Sequence, residues 1–75
     1  MEYKEVIFEI SPIEPWCDIL LANLGELSYD SFLEEEKGLK AYILSEDFDK
    51  EVLEDLCASL DAQIFFEVKD VQQQN

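Results

Sequence analysis

The sequence predicts an α+β fold with four strands and two helices, in the order strand, helix, strand, strand, helix, strand. Some segments alternate apolar and polar residues, which is typical of strands with one buried face, and two longer segments repeat apolar residues at helical spacing. A glycine beside a run of charged residues predicts a hairpin between the second and third strands. Two right-handed crossovers on one sheet then give the split βαβ, or ferredoxin-like, arrangement: a four-stranded antiparallel sheet with both helices on one face.

The first strand is predicted at residues 3–10 (YKEVIFEI), because every second residue from Val6 is apolar on the same side. Pro15 is expected to open the following helix as its first residue, where its missing N–H costs nothing, and residues 16–28 continue that helix. Along one side of this helix runs a stripe that consists of Trp16, Leu20, Asn23, Leu24 and Leu27.

The hairpin is predicted at residues 30–43 (DSFLEEEKGLKAYI), with Gly38 at positive φ in the turn. Asp49 is the expected N-cap of the second helix. The last strand is predicted at residues 63–71, and the polar tail at residues 72–75 (QQQN) is expected to fray. The apolar stripe of the second helix consists of Leu53, Leu56, Cys57 and Leu60.

The two faces of the sheet are predicted to differ. The helices are expected to cover Val6, Phe8, Ala41, Ile43, Ile64 and Phe66, with Leu53 and Leu56 in the same core. The opposite face is expected to carry Tyr3, Glu5, Ile7, Glu9, Lys40, Tyr42, Phe65, Glu67 and Lys69. An exposed apolar patch with an acidic rim is typical of a protein-docking surface. The alternative, equally open at this point, is that another domain or a second copy covers this face. The candidate partner-binding residues are Tyr3, Glu5, Ile7, Tyr42, Phe65 and Glu67.

The charge of the chain favours a basic protein partner. There are 19 acidic residues against 5 basic ones, which gives a net charge of −14. Such a field repels phosphate backbones and anionic lipids. Aromatic residues on a four-stranded sheet resemble the base-stacking surface of RNA-binding domains, but this face is acidic, so we expect no nucleic-acid partner. The alternative interpretation is that the acidity only keeps a small domain soluble.

The sequence shows no membrane-spanning run and no secretory signal, so we expect a cytoplasmic protein without a membrane partner. Cys17 and Cys57 lie within apolar patterns and form no metal-binding spacing, which favours buried, reduced thiols.

The sequence offers no catalytic, cofactor-binding or metal-binding residues. It has no histidine and only two glycines, so neither a histidine-activated nucleophile nor a glycine-rich phosphate loop is present. The run Glu34-Glu35-Glu36 raises the question of a metal site. Successive strand residues point to opposite faces, and no EF-hand spacing is present. The run therefore indicates the solvated end of a hairpin.

Several segments resemble the start of a known family: residues 3–6 (YKEV), 15–20 (PWCDIL), 30–32 (DSF), 38–43 (GLKAYI) and 48–49 (FD). The family is the ribosomal protein methyltransferases that modify large-subunit ribosomal protein eleven, and the resemblance is to the Bacteroidetes-type members. It extends over nearly the whole chain, although it rests on strand and turn residues and not on catalytic ones.

The resemblance implies a two-domain enzyme that uses S-adenosylmethionine to methylate lysine side chains and the α-amino group of that ribosomal protein. Residues 1–75 would be its single ferredoxin-like domain, the N-terminal fragment of the longer chain, which recognises the substrate. Whether this fragment has any activity of its own stays open, because it carries no catalytic residues. The alternative hypothesis is a stand-alone ferredoxin-like domain for protein interaction, dimerisation or small-molecule sensing.

Overall fold

Residues 2–72 are described by a computed structural model, in which one sheet forms the first layer and two helices form the second. In chain order the elements are β1 (Glu2–Ser11), α1 (Trp16–Glu26), β2 (Ser31–Glu35), β3 (Gly38–Leu44), a single 3-10 turn (Ser45–Asp47), α2 (Lys50–Ser59) and β4 (Gln63–Gln72). The expected fraying of the tail falls on residues 73–75, outside the described range, whereas Gln72 still pairs with Glu2.

The sheet has the strand order β2-β3-β1-β4, and its three neighbouring pairs are all antiparallel. The connection through α1 passes over β3, and the connection through α2 passes over β1. This is the split βαβ topology, so the predicted ferredoxin-like α+β fold is confirmed. Strand β1 lies in the middle and pairs along its whole length with β4, which makes it the central element of the sheet.

Helix α1 buries Cys17, Leu20 and Leu24. Leu20 and Leu24 belong to the predicted stripe and Cys17 does not, whereas Trp16, Asn23 and Leu27 of that stripe are only half-buried. The expected place of Pro15 was off by one residue. Pro15 has φ −89° and ψ 8° and lies before the helix as its N-cap residue, where its carbonyl accepts the N–H of Ile19 at 3.3 Å. Its ring offers no side-chain acceptor, so this helix begins without a side-chain cap.

The predicted role of Gly38 was wrong. The turn of the hairpin is formed by Glu36 and Lys37, and Gly38 is the first residue of β3, buried and with negative φ. A Cβ at this position would lie 2.1 Å from the carbonyl oxygen of Phe8. Glycine is required here because the backbones of β1 and β3 approach closely, not because the turn needs a left-handed residue.

Helix α2 begins as predicted at Asp49, whose carboxylate accepts the backbone N–H groups of Glu51 and Val52 at 3.0 and 3.3 Å. Leu53 is fully buried, but Leu56 is only half-buried, and so is Phe66 in β4. Both were predicted in the core and instead lie at its margin. Strand β4 is an edge strand and α2 is only ten residues long, so neither is covered on all sides.

The core consists of Val6, Phe8, Ile10, Cys17, Leu20, Leu24, Tyr29, Leu39, Ala41, Ile43 and Leu53. Most members come from β1, β3 and α1, so these three elements supply the centre of the domain.

No helix within residues 2–72 is long and apolar enough to cross a membrane. Both cysteines are free: Cys17 is buried as predicted and Cys57 is half-buried, and burial raises the pKa of each thiol.

Because the phenol of Tyr29 is buried, we predict that the protein loses stability at alkaline pH. Burial, with a smaller contribution from Cys57, raises the pKa of its phenol to about 12. The unfolded phenol ionises near pH ~10, whereas the folded one keeps its proton, so unfolding becomes more favourable as the pH rises from ~10 to ~12. We expect a loss of about 2–3 kcal/mol over this interval.

Urea unfolding of the parent and of Tyr29→Phe between pH 9 and 12 measures this effect. The two thiols with raised pKa also weaken the fold in alkali, but they are present in both proteins. The difference between the two slopes therefore isolates Tyr29, and equal slopes would refute the prediction.

Candidate protein-docking face

The pairing of the strands brings one set of side chains to the face of the sheet away from the helices. We call this set the open face: Tyr3, Glu5, Ile7 and Glu9 of β1; Leu33 and Glu35 of β2; Lys40, Tyr42 and Leu44 of β3; and Phe65, Glu67, Lys69 and Val71 of β4. Directly opposite residues share a face, and alternation along each strand extends the assignment.

The open face carries three of the four large apolar residues that are exposed within the described part of the chain. Phe65 is 61% exposed, Leu33 52% and Val71 36%, and each would be a favourable group to bury. The fourth large exposed apolar residue, Val52 at 42%, lies on α2 in the other layer. Scattered single residues of this kind are ordinary, but three on one face of so small a domain make this face the candidate interaction surface.

Tyr42 and Glu5 form a hydrogen-bonded pair at the centre of the open face. The phenol of Tyr42 donates to Oε2 of Glu5 at 2.6 Å, and this bond, more than burial, raises the pKa of the phenol. The hydroxyl of Tyr42 already donates a hydrogen bond to Glu5, and the side chain is half-buried. Tyr42 therefore helps to hold the open face together and exposes less surface to a partner than Phe65 does.

The charged groups of the open face are mainly acidic. Its carboxylates are Glu5, Glu9, Glu35 and Glu67, and its ammonium groups are Lys40 and Lys69. Lys40 lies 3.4 Å from Glu35, and the other ion pair found within residues 2–72, Lys4 with Asp70, is on the helix side. Glu9 and Glu67 therefore remain available to a basic group from outside.

All six predicted partner-binding residues lie on the open face. Glu5 is paired with Tyr42, Ile7 with Glu67, and Tyr3 and Phe65 occupy the two ends. Their role in docking stays a prediction. Sequence reasoning missed Leu33 and Val71, which are more exposed than Ile7 or Tyr42. Placing the turn at Glu36 and Lys37 would have revealed Leu33, because it then pairs with Lys40.

The three glutamates of the hairpin do not converge. Glu35 is on the open face, Glu34 pairs with Leu39 on the helix side, and Glu36 is in the turn. Glu34 lies close enough to α1 to help raise the pKa of Cys17, although burial is the larger cause. Within residues 2–72 no group of three potential ligands lies together in a way that could hold a metal ion.

We predict that replacing Glu34, Glu35 and Glu36 with glutamine leaves the fold unchanged. The loss of the Lys40–Glu35 pair should cost about 0–1 kcal/mol, and relief of like-charge repulsion should offset it. Melting temperatures with a chelator and with micromolar calcium measure this. Unfolding on chelation, or a calcium-dependent rise that the triple variant abolishes, would contradict the prediction.

Proteins with similar sequences show to which family this chain is related. A protein from Phocaeicola vulgatus named ribosomal protein L11 methyltransferase is 35% identical over 79 aligned positions that include the whole chain. This chain is homologous to part of the ribosomal protein L11 methyltransferases. A Bacteroides fragilis L11 methyltransferase is 43% identical over 54 residues, and one from Bacteroides thetaiotaomicron is 50% identical over 44 residues. The resemblance stated from the sequence is thereby confirmed.

The match covers 100%, 71% and 57% of this chain but only 28%, 19% and 16% of these three L11 methyltransferases. The chain thus spans less than a third of each of these relatives. No family model matches the chain. No solved structure matches it either.

Proposed function

We propose that residues 1–75 are the N-terminal, substrate-recognition domain of a two-domain methyltransferase, and that the open face docks its substrate, ribosomal protein L11. The observation that carries the proposal is the homology to proteins of that name, of which this chain spans only a small part. The exposed Phe65, Leu33 and Val71 on an acidic sheet face support a docking role.

The methyl donor proposed for the whole enzyme is S-adenosylmethionine. The residues of this chain do not fit that cofactor. Gly25 is within α1 and Gly38 is within β3, so neither forms the glycine-rich loop that holds a nucleotide-like ligand. Methylation of lysine side chains and the α-amino group is therefore proposed for the rest of the enzyme. The proposed role of this chain is to bind and orient the substrate.

Long-range attraction should guide the substrate to this domain. With a net charge of −14, the chain attracts a basic protein, and the effect should appear mostly in the association rate. Raising the salt shortens the screening length from ~10 Å at 0.1 M to ~3 Å at 1 M, so association should slow markedly. The exposed apolar residues should instead determine how long the complex lasts.

The test is the binding of ribosomal protein L11 to the chain and to the double variant Leu33→Ala, Phe65→Ala. Loss of two exposed anchors should speed dissociation and weaken binding about tenfold or more. Val52→Ala is the matched control, because Val52 is similarly exposed but lies on α2. We expect this control to bind like the parent.

Two outcomes would contradict the proposal. If the parent chain does not bind the ribosomal protein at all, the recognition function fails. If the control weakens binding as much as the double variant does, the open face is not the docking surface.

The second candidate function is a dimerisation domain, which the same exposed face would also suit. Sedimentation of the free chain tests it, and a dimer that dissociates in the double variant Leu33→Ala, Phe65→Ala would favour it.

A further inference from the structure

A groove surrounds Glu9 at the hairpin end of the open face. Three adjoining depressions meet at this residue, and the largest has a volume of about 480 Å³, within the range of small-ligand pockets. The Glu9 groove is defined by the residues that line at least two of the depressions, together with Glu67, which lines one of them beside Phe65. Its residues are Ile7, Glu9, Glu36, Lys37, Phe65 and Glu67.

The register of the sheet explains why the groove is there. Glu9 pairs with Gly38 on one side and with Phe65 on the other. Gly38 has no side chain, so a gap separates Glu9 from Glu35, which pairs with Gly38 from β2. The close approach of β1 and β3 requires a glycine at position 38, and the side chain that is missing there leaves one side of the groove open.

The chemistry of the lining suits an ammonium group on an aliphatic stem. Phe65, the most exposed apolar residue, provides a wide apolar surface, and Ile7 extends it. Glu9 and Glu67 flank Phe65 and form no ion pair within the described residues. Carboxylates next to an aromatic face attract an alkylammonium by charge and by cation–π interaction, while its methylene stem packs on the ring. Lys37 is the single cation of the lining, against three carboxylates.

We propose that the Glu9 groove binds a lysine side chain of the basic protein that the domain docks. This inference rests on the proposed function for the identity of the partner, but the groove itself is defined by this chain alone. It assigns a subsite to one end of the open face: the lysine stem lies along Phe65, and its ammonium lies between the carboxylates of Glu9 and Glu67.

The first experiment uses an eight-residue glycine-rich peptide with two lysines and the same peptide with both lysines acetylated. Amide chemical shifts of the labelled chain are followed at 0.05 M salt. The lysine peptide should shift the amides of Ile7, Glu9, Phe65 and Glu67, and the acetylated peptide should not, because acetylation removes the charge. Equal shifts with both peptides, or shifts centred on α2, would overturn the proposal.

The second experiment separates a local site from the general acidic field. The double variant Glu9→Gln, Glu67→Gln should weaken the lysine peptide about 5-fold. The matched control, Glu54→Gln with Asp55→Asn, removes the same charge from exposed positions on α2 and should change the affinity less than ~1.5-fold. An equal effect of both variants would show that only the net charge matters.

The two proposals fail in different ways. If the chain binds ribosomal protein L11 through the open face but the lysine peptide does not map to the Glu9 groove, the lysine subsite is refuted and the recognition function stands. If the peptide maps to the groove and the ribosomal protein does not bind, the subsite stands and the proposed partner is wrong.

Discussion

Gly38→Ala should lower the free energy of unfolding by about 3 kcal/mol, a large fraction of the roughly 4–8 kcal/mol expected for a domain of this size. The added Cβ would lie 2.1 Å from the carbonyl oxygen of Phe8 and 2.9 Å from its carbonyl carbon. Both atoms are backbone, so no side-chain rotation relieves the overlap, and β3 has to move away from β1. Urea unfolding followed by circular dichroism measures the loss.

Gly25→Ala is the matched control for this substitution. Gly25 lies within α1, is exposed, and a Cβ there would have no heavy atom within 4 Å. Alanine is the better helix former by about 0.5–1 kcal/mol, so this variant should be more stable than the parent. The same chemical change thus has opposite signs at the two glycines. A Gly38→Ala protein as stable as the parent would show that the two strands are not held at this distance.

Leu53→Ala should cost about 2–5 kcal/mol, enough to unfold much of the protein at moderate temperature. Leu53 is 1% exposed and is the one residue by which α2 reaches the centre of the core. Removing its side chain leaves a cavity between α2 and the sheet, because the strands beneath are held by their hydrogen bonds. Thermal unfolding and the urea midpoint of the variant report the loss.

Leu56→Ala provides the comparison on the same helix. Its side chain is only half-buried at the margin of the core, so its truncation should cost about 1–2 kcal/mol. A cost at Leu56 that equals or exceeds that at Leu53 would mean that α2 is rotated about its axis relative to the structure. The pair therefore tests the orientation of α2 as well as its presence.

Much of the candidate site could be predicted from the strands alone. Alternation in β1 and β4 placed Ile7, Phe65 and Glu67 on the face away from the helices, and the register confirms that they lie on the same face. Leu33 could not be assigned in the same way, because its direction depends on where the hairpin turns. A shift of the turn by one residue would send every side chain of β2 to the other face.

The order and type of the elements, the N-cap at Asp49 and the two faces of β1 could be predicted from local patterns, because these features depend on periodicity and on hydrogen bonds between near neighbours. The role of Gly38, the difference between Leu53 and Leu56, and the groove beside Glu9 became known from the folded arrangement of the chain. Each of these depends on how closely segments distant in sequence approach one another, and local patterns carry no information about that distance.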